Sequence, residues 1–361
     1  MKINKLELNN FRNYTYTKTE FNDGLNFIVG ANAQGKTNLL ESIYLLSVGK
    51  SPKNSKEKQL IRFNQTKAKV AVSFSTTAGN KTIEMYLDKT DKKSIKVNNL
   101  NILKLTELVG TLSVVYFSPD ELKLIKEVPE DRRSFLDISI SQFDKTYLYN
   151  LMKYNRILKM RNQILKSFDS PESKIEQLKL FTPQLVETAE KIIKKRLNFI
   201  EKIKNIAKNI HKTITLTENL DISYSYSLKD NLSIKEDLEK QFVQSIDKEL
   251  ELGYTTIGPH RDDIIFKIND LDCKHFASQG QQRTVALVVK LSLMEVIREE
   301  IGEYPILLLD DVLSELDQAR QDRLLNMTTK YQTFISCTAI PNTQLSYNKK
   351  EVKNGKVLNS D

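Results

Sequence analysis

The sequence predicts an α/β fold: a parallel sheet bearing a phosphate-binding loop, an antiparallel β subdomain, and an inserted helical arm. Three observations predict it. A glycine-bounded octapeptide, Gly30-Ala31-Asn32-Ala33-Gln34-Gly35-Lys36-Thr37, follows the apolar run Leu25-Asn26-Phe27-Ile28-Val29 and opens a helix. After Asp221, strand-like segments alternate with amphipathic helical ones, the rhythm of a parallel sheet. Between these regions, residues 120–220 repeat apolar side chains every third or fourth position.

Residues 2–8, 69–74, 82–87 and 94–97 mostly alternate apolar with polar, so they read as half-buried strands, and 25–29 as a buried one. The helix after the glycine loop carries Leu39, Leu40, Ile43, Leu46 and Ser47 on a helical period and should stop near Gly49. In the middle region, Leu148, Leu151, Tyr154, Leu158, Leu165 and Phe168 mark one apolar face. A second face runs through Leu178, Leu185, Ala189, Ile192, Phe199, Ile203 and Ile210, with Arg196 in its one polar slot. Asp169-Ser170-Pro171-Glu172 suits a turn between two antiparallel helices, packed as a bundle or as a short coiled coil. Strands are expected again at 222–227, 264–268, 305–309 and 332–336, with helices at 284–300 and 318–328, all in one parallel sheet. Residues 1–119 together with 221–361 should therefore form a head, and 120–220 a helical arm.

Composition sets outer limits. The chain has 361 residues, 40% of them apolar, and 55 Lys plus Arg against 46 Asp plus Glu, for a net charge of +9. That balance permits nucleic acid as a partner without requiring it. Cys273 and Cys337 are the only cysteines, beside His211, His260 and His275, and no Cys-x-x-Cys or His-x-x-x-His spacing occurs, so a zinc site is not expected. The alternating Met1 to Leu8 lacks the apolar stretch of an export signal, and no apolar run is long enough for a bilayer. A cytoplasmic, membrane-free protein is the expectation.

The octapeptide is a P-loop in its required strand-to-helix context. Gly30, Ala31, Asn32, Ala33, Gln34 and Gly35 turn backbone N–H groups toward phosphates, Lys36 adds a point charge, and Thr37 offers a hydroxyl to Mg²⁺. The apolar strand ending in Asp310-Asp311 supplies its partner: Asp310 for the Mg²⁺ shell, and Asp311 as the base that polarises the attacking water. Two acids capping a following helix would fit that position alone. Ser278-Gln279-Gly280-Gln281 opens an amphipathic segment and by itself would be an ordinary N-cap. Lying between the P-loop and the acidic strand, and followed by Ser314-Glu315-Leu316-Asp317, it completes the motif order of ABC-type ATPases. In that class the P-loop of one subunit and the signature turn of another share the nucleotide, so the head reads as an ABC-type P-loop ATPase head.

Further segments resemble the bacterial RecF family in order along nearly the whole chain. They are Phe11-Arg12-Asn13-Tyr14, Asn38-Leu39-Leu40-Glu41, Ser118-Pro119-Asp120, Arg132-Arg133-Ser134-Phe135-Leu136-Asp137, Gly258-Pro259-His260-Arg261-Asp262-Asp263 and Asp310 to Asp317. The resemblance implies ATP and Mg²⁺ as cofactors and an ATP-dependent homodimer on double-stranded DNA and at single-strand/double-strand junctions. It also implies a role in recombinational repair, fork restart and the SOS response, help in loading RecA, and RecR as a partner, with RecO in the same pathway. Hydrolysis would be weak, DNA-stimulated and used as a switch, without nuclease or helicase activity. Arg12 and Asn13 would contact adenine or phosphates, and Asp317 would join the nucleotide site.

Departures from the wider class are visible. Most ABC ATPases have Glu where Asp311 stands, no histidine follows 332–336, where Cys337-Thr338 stands instead, and no glutamine occupies 114–120. Lys126-Glu127-Val128-Pro129 lacks the glycines that many RecF proteins carry there. A small-molecule P-loop kinase would be a monomer with a substrate pocket, which the segments 278–282 and 314–317 argue against. SMC-type or RecN-type proteins would need a longer coiled coil than residues 144–215 allow.

Overall fold

The structure is a computed structural model that describes residues 1–53, 55–226 and 233–359. It falls into two compact units: Met1–Leu122 with Ile210–Thr217 and Arg283–Asp361, and Lys123–Asn209 with Glu218–Gln282.

The strands of the first unit, in chain order, begin with β1 (Lys2–Phe11), β2 (Tyr14–Glu20), β3 (Leu25–Val29), β4 (Lys67–Thr76), β5 (Gly79–Asp88), β6 (Ser94–Val97), β7 (Leu100–Ile102) and β8 (Val114–Phe117). In the second unit follow β9 (Leu220–Ser225), β10 (Asp263–Ile268) and β11 (Leu271–Asp272). The chain then adds β12 (Ile306–Asp310), β13 (Thr333–Cys337), β14 (Tyr347–Lys353) and β15 (Lys356–Asn359) to the first unit.

One sheet, ordered β2-β1-β4-β5-β6-β7, is antiparallel throughout. Its alternation slips once: a register shift between Ile3 and Lys5 lets Ile3 and Leu6 both face the core despite their odd spacing. The other sheet, ordered β15-β14-β3-β13-β12-β8, is parallel except for its β15 edge. β12 and β13 are buried at every position, as central strands of a parallel sheet covered on both faces are. Because β13 lies between β3 and β12, the loops that leave the carboxyl ends of these three strands converge, where ligands of such sheets bind.

Two expectations fail here. The segments 222–227 and 264–268 do not join the parallel sheet but pair as β9 and β10, with β11, in a separate antiparallel sheet; Ser227 itself lies outside the described residues. The expected boundary at 221 fails with it, since 218–282 clusters with the helical unit rather than the head, and the other boundary falls at 122. Alternating apolar residues specify a half-buried strand without naming its partner.

The helices Lys145–Lys166 and Pro171–Thr215 run antiparallel, as expected, but the first buries Tyr147, Tyr154, Ile157 and Leu165, while Leu148, Leu151 and Leu158 are only half-buried and Phe168 lies exposed beyond its end. Lys174 Nζ reaches Leu165 O at 3.2 Å near the turn, and farther along Lys195 pairs with Asp144 at 2.6 Å. Arg196, the polar slot, is 1% exposed. Its guanidinium donates to Tyr147 Oη (2.9 Å), Tyr224 Oη (3.1 Å), Pro259 O (2.6 Å) and Asp137 Oδ1 (2.7 Å). Asp262 beside it accepts from Tyr224 Oη.

His260 is structural: Tyr154 Oη lies 2.6 Å from Nδ1, and Nε2 faces Thr255 O at 3.1 Å, which favours the neutral ring protonated on Nε2. Arg261 pairs with neither neighbouring aspartate; it stacks on Tyr254 and donates to Thr255 O at 3.2 Å.

Burial, with nearby arginines, lowers the His260 pKa from 6.5 to about 4, and burial raises that of Asp262 from 3.8 to about 6. The signs oppose. As pH falls from 6.5 toward 4 the unfolded chain gains a proton at His260 that the fold resists, which destabilises the fold. Across nearly the same window the fold takes up a proton at Asp262 before the unfolded chain does, which stabilises it. Asp262→Asn should expose the histidine alone, so that the variant loses up to about 3 kcal/mol more than the parent on acidification from pH 6.5 to 4. Urea unfolding at the two pH values checks this, and equal losses would refute it.

Candidate functional site

The P-loop leaves β3 and turns into the helix Lys36–Val48, whose N-cap Gly35 has φ +119°. Only glycine fits there: a Cβ would meet the Asn13 side-chain amide at 2.7 Å. Gly30 is equally confined, by Val352 O at 2.3 Å from a Cβ. Its N–H bonds Cys337 O at 3.3 Å, tying the loop to β13. Lys36 is 8% exposed, and its ammonium donates to Gly30 O (2.7 Å) and Ala31 O (3.0 Å), which holds the charge inside the loop. No side chain caps this helix start and no acid occupies its first turn. Backbone donors, a cation and a positive helix end together suit a polyphosphate.

Asp310, at the end of β12 and 4% exposed, is held by three hydroxyls. Thr37 (3.0 Å) and Ser336 (2.6 Å) donate to Oδ1, and Tyr116 (2.9 Å) to Oδ2. Among the described residues no cluster of three or more His, Cys, Asp or Glu could hold a metal ion alone. A Mg²⁺ here would therefore rest on Thr37, Asp310, phosphate oxygens and water, the sparse protein shell usual for that ion. Asp311 is exposed, has φ +53°, and is anchored by Ser336 Oγ on its N–H (2.9 Å) and Ser314 Oγ on its carbonyl (2.9 Å).

Ser336 and Tyr116 escaped the sequence reading. Ser336, the residue before Cys337 in β13, fastens both aspartates, and Tyr116 occupies β8 in the segment searched for a glutamine. Burial and the adjacent Asp310 push the Tyr116 pKa far above its ordinary value, so it remains a hydrogen-bond donor. Cys337 is buried with its thiol pushed up to about 11, which keeps it un-ionised.

Arg12 and Asn13, expected on the nucleotide, have other partners. Arg12 forms a two-pronged pair with the fully buried Glu41 (2.9 and 2.6 Å) and also donates to Ser55 Oγ (2.7 Å). Asn13 donates to Gln34 O (2.8 Å) and accepts from Asn38 (2.9 Å), so it braces the loop from outside. Asp317 caps the helix Gln318–Met327 through Arg320 N at 2.9 Å.

Ser278, Gln279 and Gly280 are exposed and belong to the second unit. Ser278 Oγ accepts from Gln281 N (3.2 Å), while Gln281 Oε1 accepts from Ser278 N (2.8 Å), a reciprocal cap of the helix Gln279–Ile301.

The family described as RecF/RecN/SMC N terminal domain matches residues 2–355. The chain is 45% identical to the DNA replication and repair protein RecF of Clostridium kluyveri over 347 residues, covering 96% of this chain and 95% of the relative. It is 44% identical to that of Staphylococcus carnosus, with 94% of each covered. A solved structure described as the recombination mediator protein RecF with ATP in the RecFOR pathway superposes with a TM-score of 0.92 at 36% identity, covering 100% of this chain and 98% of that one. An Smc head domain from Pyrococcus furiosus, at 17% identity and a TM-score of 0.58 over 99% of this chain and 96% of that one, shares the fold.

Proposed function

The chain belongs to the RecF family of SMC-like ABC-type ATPases, and from that premise we propose that two copies close head to head around ATP on DNA and part after hydrolysis. One observation carries the dimer. Gly280 sits in the first turn of its helix, and a Cβ there would meet nothing within 4 Å. The space beside this turn is therefore open, which is room for an anion brought close by another copy.

In this reading Lys36 and the loop N–H groups bind the phosphates, and Thr37 with Asp310 would hold Mg²⁺, which supplies charge neutralisation at the β- and γ-oxygens. Asp311 takes the proton of the attacking water, and Ser278 and Gly280 of the second copy complete the γ-phosphate site. Asn13 acts through the P-loop it braces, and Arg12 holds Glu41 of the helix that follows the loop. The basic balance of the chain serves DNA phosphates, with strong salt dependence and little sequence readout. Relatives are named for DNA replication and repair and for the RecFOR pathway, which supports a place at gapped DNA beside RecR and RecO, ahead of RecA loading.

Sizing in solution tests the clamp. With Mg²⁺ and ATP the protein should shift from monomer to dimer, and Ser278→Arg should weaken that dimer at least about tenfold while each copy still binds ATP. A parent protein that stays monomeric with saturating ATP and DNA sinks the reading.

A further inference from the structure

We propose that the turn of the C-terminal hairpin, Asn354-Gly355, is a positioning element of the phosphate cradle, acting through Gln34 of the P-loop. β14 pairs in parallel with β3 up to Glu351 opposite Val29, so the hairpin emerges directly beside the loop's first residue. Both turn residues lie in the left-handed region, Asn354 at φ +49° and Gly355 at φ +67°, as a two-residue hairpin turn demands. The turn then makes two bonds to the same loop residue. Asn354 N–H donates to Gln34 Oε1 at 2.6 Å, and Gly355 N–H donates to Gln34 O at 3.1 Å.

The second bond reaches the chemistry. Gln34 O also accepts from Asn13 Nδ2 at 2.8 Å, so two donors hold this carbonyl. Across a trans planar peptide the following N–H points the opposite way. Holding Gln34 C=O toward the hairpin therefore turns the Gly35 N–H away from it, as a donor facing the phosphates. Sterics make the arrangement exacting: a Cβ on Gly355 would lie 2.3 Å from Asn13 O, and one on Gly30 would lie 2.3 Å from Val352 O. Hairpin, Asn13 and P-loop interlock through backbone atoms, which cannot yield as a flexible side chain can. Far from the P-loop in sequence, the hairpin thus sets the geometry of the site.

The inference rests on the ATPase reading, and steady-state hydrolysis by the full chain separates the two. A parent protein that neither binds nor hydrolyses ATP fails the reading itself. Given an active parent, Gly355→Ala should raise the KM for ATP at least tenfold with kcat within about threefold, because the cradle loosens while Asp310 and Asp311 are untouched. A loss that is merely structural lowers kcat through the active fraction and leaves KM alone, and that result overturns the proposal. If Gly355→Ala fails to fold, Gln34→Ala removes the Oε1 acceptor without adding atoms. It should raise KM about threefold or more, and an unchanged KM overturns the proposal equally.

Discussion

Asp311→Asn is expected to slow ATP hydrolysis about a hundredfold while ATP affinity changes less than about twofold and the ATP-held dimer outlives that of the parent. General-base catalysis contributes about 10² to 10⁴ in rate, and an amide cannot take the proton. The backbone should not move. Asp311 holds φ +53° with its N–H on Ser336 Oγ and its carbonyl on Ser314 Oγ, and asparagine tolerates that left-handed conformation as well as aspartate does. In the proposed reading the phosphates bind elsewhere, on Lys36 and the loop N–H groups, so affinity is spared. Single-turnover hydrolysis beside direct ATP titration separates the two quantities. An unchanged single-turnover rate would remove Asp311 from the mechanism and leave water activation to another group.

Arg196→Leu should cost about 3 kcal/mol or more of stability in the helical unit, without touching nucleotide chemistry. The guanidinium is 1% exposed and satisfies two tyrosine hydroxyls, the Pro259 carbonyl and the Asp137 carboxylate at once. Leucine fills part of the volume but leaves those four groups with a missing donor. Asp137 remains partly exposed and can recover water, which keeps the cost near the lower end of the range for a broken buried ion pair. Chemical denaturation read from the helical unit measures it. A midpoint shift worth less than about 1 kcal/mol would mean that the pocket rehydrates, since that is the worth of one ordinary hydrogen bond.

Legibility in the sequence followed the density of local constraint. The P-loop was readable because a left-handed glycine, a lysine and a hydroxyl must follow a buried strand at set spacing. The helical pair was readable because a long helix repeats its apolar face many times, and Arg196 stood out as the one interruption. Ser336 and Tyr116 were not readable. Tyr116 is the one hydroxyl of β8 and Ser336 one of two in β13, and the role of each exists only because β13 and β8 flank β12. Asp317 serves locally as a cap, which an acid before a helix does first, and the nucleotide role that the resemblance implies for it is a separate matter.

By itself, the sequence determined which segments are strands and helices, that a P-loop motif and an acidic strand end are present, and that the chain resembles the RecF family. Those properties depend on neighbours a few residues apart. Only the tertiary structure decided that β9 and β10 stand apart from the parallel sheet, that three hydroxyls share Asp310, and that Asn13 and the Asn354-Gly355 turn brace the P-loop. Strand partners and hydrogen-bond acceptors are chosen by which surfaces meet when the core closes, and residues more than three hundred positions apart carry no local mark of that meeting.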